Sequence, residues 1–496
     1  MIGAAHHLNR SIQTIIGRAH YYLLDRYHIL TVRGLLIAVC LALTVLTAVL
    51  LQERRIAAVG VVAGFAGLAF AVFAYRHMEL MCLAVLVVST VFDLGVGTGT
   101  GTDIKLVLVL LVLLIGLWAF RLFVVERSVA GVRGKWVIAP ALLFALAVVI
   151  SLVWSMYYVV PSVRPLMFDK MLPRAMTGLV LIISPLTALL FANHLRSAHA
   201  FTFIVGWFAF VGALELPFAL TNAPLLPDLV NAGGQFIAWV GVLAAGQVLL
   251  NRQMRRAVQI ALLLLIAGWA YVAVGMRFTW LSGWVTLVAG LSVVLALRFP
   301  RLAAAAGVAA LVLILANFSA VEETFADESA ESGVTRVAAY EHTLQIVRDH
   351  YLFGTGPAGY YFYLTTYIGG LFQLSHNNYV DIFAQTGLFG TVMYLWLWGG
   401  IGWYVLRAYQ NVPRGGFYHG LAASLCAAYV ISLGAMMLGD WVTPFTYTQT
   451  LSGVSYTIWH WVLAGTAIAL YYQAQRLALA AVEPAGGQVA APPLAV

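Results

Sequence analysis

The sequence predicts an all-α polytopic membrane protein, and both its composition and its hydropathy patterning lead to that class. Of the 496 residues, 62% are hydrophobic and 9% are charged, and the mean hydropathy is +0.92. Apolar runs recur along the chain, each close to the ~20 residues that a helix needs to cross a bilayer. The three cysteines lie inside such runs, so we expect them to pack rather than to form disulfides or bind a metal.

The apolar runs predict about fourteen transmembrane helices. Their approximate bounds are 33–51, 56–74, 79–92, 104–120, 136–155, 176–192, 201–220, 233–250, 259–275, 279–297, 302–320, 377–406, 418–437 and 451–471. Most connections between them are short. Residues 1–480 are therefore predicted to form a single multi-span membrane domain, and the Pro-, Gly- and Ala-rich segment 481–496 is predicted to be a disordered cytoplasmic tail.

The distribution of Lys and Arg predicts the orientation of these helices. With the N-terminus in the cytoplasm, eighteen of the 27 Lys and Arg residues fall in inside segments and nine in outside segments. This bias is the positive-inside pattern. The net charge of +8 therefore reflects orientation, and it predicts membrane lipids rather than nucleic acid as partners. The outside cations are Arg54, Arg55, Lys105, Arg164, Lys170, Arg174, Arg277, Arg336 and Arg348.

Two outside connections are long enough to carry functional residues. The first, 156–175, contains Arg164 and Arg174. The second, 321–375, begins with an acidic stretch and continues at about 334–350 as an amphipathic helix, which we expect to lie on the membrane surface. The predicted apolar stripe of this helix consists of Val334, Val337, Ala338, Leu344, Val347 and Tyr351.

Several polar residues at the outer ends of the predicted helices are candidates for binding. Arg277, in the short connection GMRFTWLSGW, either extends to lipid headgroups or clamps a phosphate through its planar fork. Arg336 is either a solvated charge or a substrate ligand. Glu215 lies near the outer end of a span, where a carboxylate should have a cationic partner. The other candidates for substrate binding are Arg164, Arg174, Tyr340 and Arg348.

The segment SHNN, at 375–378, places polar side chains at the outer entrance of the predicted helix 377–406. His376, beside two amides, is by itself most simply a hydrogen-bonded structural histidine or a helix-terminus residue. Asn377 is either the N-cap of the helix or a substrate ligand.

No pattern in the sequence predicts a metal or nucleotide site. The chain contains no D-x-D, and the acidic stretch 322–332 lacks ligand spacing. The glycine-rich stretch GVGTGTGTD, at 95–103, lacks the strand–turn–helix context of a phosphate-binding loop. We therefore predict no cofactor.

Three segments, taken in order, resemble motifs of a known family. They are MRFTW with Arg277, the run from Arg336 to the G-T-G that follows it, and HNNYVDIFAQTGLFG with His376. Together with the long loop before the H-N, they resemble the O-antigen ligase and O-antigen polymerase superfamily of bacterial inner membranes. Gln385 departs from that pattern, because such proteins often carry a glutamate at this position.

The resemblance implies a membrane fold of the GT-C kind and an active site facing the periplasm. The donor would be a glycan linked to undecaprenyl diphosphate, and the acceptor would be lipid A-core or another growing glycan. Transfer would be inverting and independent of metal. Arg277 and Arg336 would stabilise the departing diphosphate, and His376 would be the base that deprotonates the acceptor.

Four functions remain open from the sequence. A ligase, a polymerase of surface polysaccharide and a protein-directed O-oligosaccharyltransferase would share this chemistry and differ in acceptor; fourteen spans favour the polymerase. A polysaccharide transporter or lipid flippase belongs to another class, and it should show repeats or charged residues along a path through the membrane. Here the polar residues gather at one face, which favours the enzyme.

Overall fold

The computed structural model describes residues 67–92, 94–97, 103–221, 233–278, 280–305, 308, 334–368 and 374–482. The predicted helix 33–51, most of the predicted helix 302–320, the acidic stretch 322–332, the tail beyond 482 and the side chain of Arg336 lie outside the described residues. The chain divides into two compact units, Met1–Arg76 and His77–Val496. In the first unit the described part is the helix Gly67–Arg76. Everything below concerns the second unit, and a single domain over 1–480 stays a prediction.

The second unit is built almost entirely from helices. The first half contains α1 (Met78–Val91), α2 (Leu106–Phe120), α3 (Lys135–Tyr157), α4 (Arg164–Asp169), α5 (Met171–His194), α6 (Ala198–Thr221), α7 (Phe236–Leu250) and α8 (Arg256–Ala270). The second half contains α9 (Leu281–Arg298), α10 (Val334–Asp349), α11 (Tyr360–Ile368), α12 (Asn378–Asn411), α13 (Phe417–Leu438), α14 (Thr446–Gln449) and α15 (Val454–Val482). Two π-helical turns, Arg121–Glu126 and Tyr271–Met276, extend α2 and α8. The glycine-rich stretch forms a short antiparallel hairpin of β1 (Gly95–Gly97) and β2 (Asp103–Lys105).

The all-α polytopic class is confirmed. Within the described ranges, seven helices are long and apolar enough to cross a membrane, or up to eight if a bent pair is counted as one span. These seven are α2 and α8 with their π-helical extensions, α3, α5, α6, α12 and α13. A helix satisfies all of its backbone hydrogen bonds internally, which is what the bilayer core demands. The total of fourteen spans stays a prediction.

Helix α12 is central to the packing. It contacts α3, α13 and α15, while α5 packs against α3 and α15. A second group forms where α7 packs against α8, α9 and α13. Large aromatic side chains fill the interior: Trp398 of α12 and Trp461 of α15 are buried, with ring centroids 5.2 Å apart.

Connections predicted to lie on the inside contact one another. The backbone N–H of Arg252, after α7, donates to the carbonyl of Gly415, before α13, at 2.9 Å. The N–H of Arg133, before α3, donates to Asn193 Oδ1, at the end of α5, at 2.7 Å. These contacts group the ends of the spans as the predicted alternation requires.

Helix α10 confirms that 334–350 is helical, but its buried face differs from the predicted stripe. Ala339, Thr343 and Val347 are buried, because they follow one another at four-residue spacing on the side that packs against α11 and α12. Leu344 and Tyr351 are each 49% exposed. The predicted stripe was chosen for apolarity alone, so it includes Val347 of the buried face but not Ala339 or Thr343.

A hydrophobic core lies beneath the outer polar residues. It joins Val347 of α10, Tyr360 and Leu364 of α11, Ala384 of α12 and Phe445 just before α14. Because these side chains are buried against one another, the core fixes the relative positions of the four elements that carry the candidate site.

Candidate functional site

Asn377 is the N-cap of α12, which is one of the two roles that the sequence predicts for it. Its side-chain oxygen accepts the backbone N–H of Tyr379 at 2.9 Å and that of Val380 at 3.4 Å. This satisfies donors that the first turn of a helix cannot pair internally. The residue therefore fixes where α12 begins, immediately after His376.

Asn378 is buried and holds the segment that follows α13. Its amide nitrogen donates to the carbonyl of Thr443 at 2.7 Å. Its oxygen accepts the N–H groups of Val442 and Thr443 at 3.0 and 3.1 Å. The three bonds fix the 439–445 segment, and with it Asp440, beside the start of α12.

His376 has a left-handed backbone conformation, with a φ of 45°. That region costs a non-glycine L-residue roughly 1–2 kcal/mol. The ring Nδ1 lies 3.5 Å from Asp440 Oδ2, and the His376 side chain is 35% exposed whereas that of Asp440 is 1% exposed. The structure thus forms a histidine–carboxylate pair with one partner buried and the other reaching solvent.

The Asp440 carboxyl is held in its ionised form. Burial alone would raise its pKa, but interactions with His376, Asp381 and Thr448 outweigh burial and lower the pKa of Asp440. The Thr448 hydroxyl donates to Asp440 Oδ2 at 2.6 Å. A carboxylate in this position orients the imidazole and stabilises the imidazolium that forms if His376 accepts a proton.

Asp381 is the second carboxyl of the pair. Its Oδ1 accepts the hydroxyl groups of Tyr360 at 2.5 Å and Ser375 at 2.6 Å. No N–H or hydroxyl group reaches its Oδ2 or the Oδ1 of Asp440 within the described part of the chain. The two carboxyl groups lie close enough for their charges to interact.

The glycines of the two motifs lie against each other where α12 is broken. Gly387, within α12, has a φ of 66° and a ψ of −167°. A Cβ on Gly387 would lie 2.4 Å from the carbonyl of Leu352, and one on Gly354 (φ 68°) would lie 2.5 Å from that of Gln385. The two backbones cross too closely for any side chain, so the G-T-G and Q-T-G motifs form one structural unit.

Backbone hydrogen bonds between segments 351–356 and 384–389 replace those that the break removes from α12. The bonds run from Leu388 N to Tyr351 O (2.8 Å), Phe389 N to Leu352 O (3.2 Å), Thr355 N to Ala384 O (2.9 Å) and Gly356 N to Gln385 O (3.0 Å). An irregular backbone is tolerated at membrane depth when protein groups pair it. These backbone groups therefore stay hydrogen-bonded at the break.

Gln385, the departure from the family pattern, has a structural role. Its side-chain oxygen accepts the N–H of Ala358 at 2.9 Å, and its amide nitrogen donates to the carbonyl of Asp381 at 3.2 Å. An amide supplies both the donor and the acceptor, which an ionised glutamate could not. Gln385 therefore joins the glycine crossing to the carboxyl pair.

Tyr340, a predicted substrate ligand, lies beside Asn377, the residue that follows His376. Its hydroxyl lies 3.5 Å from the side-chain nitrogen of Asn377, which is the long limit of a hydrogen bond. The contact brings the half-buried middle of α10 to the polar start of α12.

The predicted outer arginines are mostly exposed. Arg277 follows the π-helical turn that ends α8, and its backbone carbonyl accepts the N–H of Trp280 at 2.9 Å. Arg348 is exposed at the end of α10. Arg164 is exposed with its guanidinium 5.5 Å from the centre of the Phe168 ring. No ion pair joins any of the three to an acidic side chain within the ranges that the structure describes.

Arg174 differs from these arginines because it is 0% exposed. It lies in the first turn of α5 and donates to the hydroxyl of Ser155 on α3. Its Nε has no hydrogen-bond partner among the described residues.

Glu215 is half-buried near the end of α6. The cationic partner expected for it is absent from the described residues, where no ion pair involves Glu215. Its partial exposure at the helix end lets water solvate the carboxylate instead.

Sequence reasoning missed Asp440, the partner of His376. Its signal is the stretch LGDWVTP, where a carboxylate ends an apolar helix and so calls for a nearby cation or proton donor. Asp381 was visible as one polar residue among several in the motif, but nothing in its spacing pointed to Asp440.

The fold and site together define a class: a multi-pass all-α membrane protein with a histidine–carboxylate pair at the entrance of a spanning helix. The family model described as O-antigen ligase matches residues 262–395. This match supports membership of the O-antigen ligase superfamily and a function of the O-antigen ligase or polymerase type. Comparison with curated proteins finds no match. The matched segment includes Arg277, Arg336 and His376, whereas Asp440 lies beyond it.

Proposed function

We propose that the chain transfers a glycan from an undecaprenyl-diphosphate carrier to a sugar hydroxyl, at the periplasmic face of the bacterial inner membrane. The pairing of His376 with the buried, ionised Asp440 carries the proposal. A histidine held by a carboxylate and partly open to solvent is the arrangement of a general base. His376 lies at the polar entrance of α12, within the segment matched by the family model.

The reaction requires one proton transfer and one displacement. His376 takes the proton of the acceptor hydroxyl, and that oxygen forms a bond to the anomeric carbon. The bond between the anomeric carbon and the phosphate oxygen breaks, and its electron pair leaves with the diphosphate. Attack opposite to the leaving group inverts the anomeric configuration. Asp440 stabilises the imidazolium that forms.

The leaving group needs positive charge because the departing diphosphate gains negative charge. Arg277 and Arg336 fill this role in the proposal, since a guanidinium offers two parallel donors to phosphate oxygens. With arginines in this role, transfer proceeds without a divalent cation. Arg164 and Arg348 are candidate contacts for the glycan chains.

Three further residues are proposed to shape the substrate site. Tyr340 and Asn377 contact each other beside His376, where they are placed to position the acceptor. Glu215 is proposed to orient a cation when substrate is bound, since an acidic group near a helix end attracts positive charge.

The proposed transfer has two forms, which differ in the acceptor. A ligase would move the glycan to lipid A-core, and a polymerase would move it to a second lipid-linked glycan. In the test, full-length protein in detergent or liposomes is incubated with a lipid-linked donor and with each acceptor in turn. The product is identified by mass spectrometry. We expect product with one acceptor, and the same yield in excess EDTA. Absence of product from both acceptors, or loss of activity in EDTA that magnesium restores, would contradict the proposal.

A further inference from the structure

Arg174 is a buried cation without a counter-charge. It is 0% exposed, and no salt bridge involves it in the described part of the chain. Its guanidinium donates to Ser155 and to Met171 Sδ, the latter at 4.0 Å. Its Nε donates to nothing in the same part of the chain. A buried charge of this kind costs several kcal/mol unless an opposite charge joins it.

A second unpartnered donor lies in the same place. Tyr447, on α14, interacts electrostatically with Arg174, and its buried hydroxyl has no hydrogen-bond partner among the described residues. Its ring stacks on Tyr361 with centroids 4.0 Å apart, so the orientation of the hydroxyl is fixed. The cluster thus presents two donors, Arg174 Nε and the Tyr447 hydroxyl, that have no acceptor among the described residues.

The cluster is close to the proposed base through α14. Thr446 hydrogen-bonds to Thr177, one turn after Arg174 on α5. Two residues after Thr446, Thr448 donates to Asp440, the partner of His376. The four-residue helix therefore joins α5, which carries Arg174, to the Asp440 carboxylate.

We propose that Arg174 and Tyr447 form an anion subsite that binds the diphosphate of the lipid-linked donor. The identity of this ligand rests on the proposed function. A diphosphate supplies both the missing negative charge and the missing acceptors, and a planar guanidinium matches its oxygens. Residues 446–450 are half-exposed, so a shift of α14 admits the anion without moving the spanning helices.

The experiment measures equilibrium binding of radiolabelled undecaprenyl diphosphate to full-length protein in detergent. Arg174→Gln should weaken binding about tenfold or more, and Tyr447→Phe should weaken it about three- to tenfold. Arg174→Lys should lie between wild type and Arg174→Gln, because it keeps the charge but loses the fork. Lys170→Gln, which removes an exposed cation immediately before α5, is the matched control and should bind as wild type does.

Competition identifies the recognised group. Inorganic pyrophosphate should displace the label, while undecaprenol and phosphatidylglycerol should not. Displacement by phosphatidylglycerol as effective as by pyrophosphate would overturn the assignment to a diphosphate.

Thermal unfolding separates binding from a purely structural role. Without ligand, Arg174→Gln should unfold at the same temperature as wild type or higher, because it removes an uncompensated buried charge. Wild-type affinity in Arg174→Gln together with a lower unfolding temperature would overturn the subsite.

Transfer measured in parallel separates this inference from the proposed function. If wild type transfers no glycan but its diphosphate binding still requires Arg174, the proposed function fails and the subsite stands. If Arg174→Gln binds and transfers as wild type does, the subsite fails and the proposed function stands.

Discussion

At the scale of single residues, the consecutive residues His376, Asn377 and Asn378 have three different roles. His376 meets Asp440, Asn377 caps α12, and Asn378 holds the segment that carries Asp440. The left-handed backbone of His376 is the cost of placing its ring beside Asp440. The surrounding hydrogen bonds compensate for that cost, so the conformation can persist.

The first prediction concerns His376→Asn. Asparagine tolerates the left-handed region and can still hydrogen-bond to Asp440, but it cannot accept a proton as a base. Transfer should therefore fall by about 10²–10⁴-fold while donor binding and folding are retained. Initial rates of transfer from a lipid-linked donor, measured at matched amounts of folded protein, provide the check.

His376→Ala serves as the comparison, since it loses both the base and the hydrogen bond. If His376→Asn keeps most of the wild-type rate while His376→Ala loses it, the histidine has only a structural role.

The second prediction concerns Asp440→Asn. The imidazolium loses its counter-ion, so turnover should fall at least about tenfold and the acidic limb of the pH–rate profile should move to lower pH. The lowered pKa of Asp440 means that the wild-type carboxylate is ionised throughout this pH range. The KM for the donor should change little, because Asp440 acts through His376.

The control for Asp440→Asn is Asp169→Asn, which alters an exposed carboxylate paired only with Lys170 at 2.7 Å. A pH–rate profile for Asp440→Asn that overlays the wild-type profile would show that the carboxylate does not act through His376.

Of the pair formed by His376 and Asp440, the sequence predicts only His376 as a functional residue. A histidine among amides at a helix entrance is visible from local pattern, since it contrasts with the apolar run that follows. Asp440 is distant in the chain, and only the packing of α12 against α13, with the bonds of Asn378, brings it near. Arg174 was predicted as an outside cation, but its burial depends on the contacts of α3 and α5, which no local pattern encodes.

At the scale of elements, the break in α12 connects the two glycine motifs. Hydropathy predicted one continuous span, and the helix is indeed present, but its backbone departs from helical geometry at Gly387. The segment before α11 supplies the missing hydrogen-bond partners at this point. The pairing was not predictable, because contact between two backbones leaves no side-chain signal other than glycine itself.

The third prediction compares glycines in α12. Gly387→Ala should lower the unfolding temperature and the yield of folded protein, because alanine would meet the carbonyl of Leu352 in a backbone conformation costing roughly 1–2 kcal/mol. Gly399→Ala is the matched control in the same helix, with nothing within 4 Å of the added Cβ. It should be neutral or stabilising by up to about 1 kcal/mol.

Gly354→Ala, in the other segment of the crossing, should lower the unfolding temperature as Gly387→Ala does. Thermal unfolding in detergent at one scan rate is the measurement, because membrane proteins often unfold irreversibly. Equal unfolding temperatures for Gly387→Ala and Gly399→Ala would show that the crossing is not required.

At the scale of the whole molecule, contacts between connections support the predicted alternation of spans. Arg252 and Gly415 join the ends of two hairpins that charge counting places inside. Glu79, at the inside end of the predicted helix 79–92, accepts the backbone N–H groups of Arg196 and Ser197 at 2.7 and 2.8 Å. Arg196 and Ser197 lie in a predicted inside connection. Positive charge and three-dimensional contact thus give the same grouping, although neither one identifies the compartment by itself.

The fourth prediction fixes the compartments. In a variant lacking Cys40, Cys82 and Cys426, single cysteines replace two exposed arginines, Arg348 at the end of α10 and Arg255 before α8. In intact cells with a permeable outer membrane, an impermeant thiol reagent should label position 348, because the proposed function places the site at the periplasmic face. Position 255 should be labelled only after the inner membrane is opened, because it lies in an arginine-rich inside connection. Labelling of position 255 in intact cells, with 348 protected, would invert the topology and place His376 in the cytoplasm, where a donor presented at the periplasmic face could not reach it.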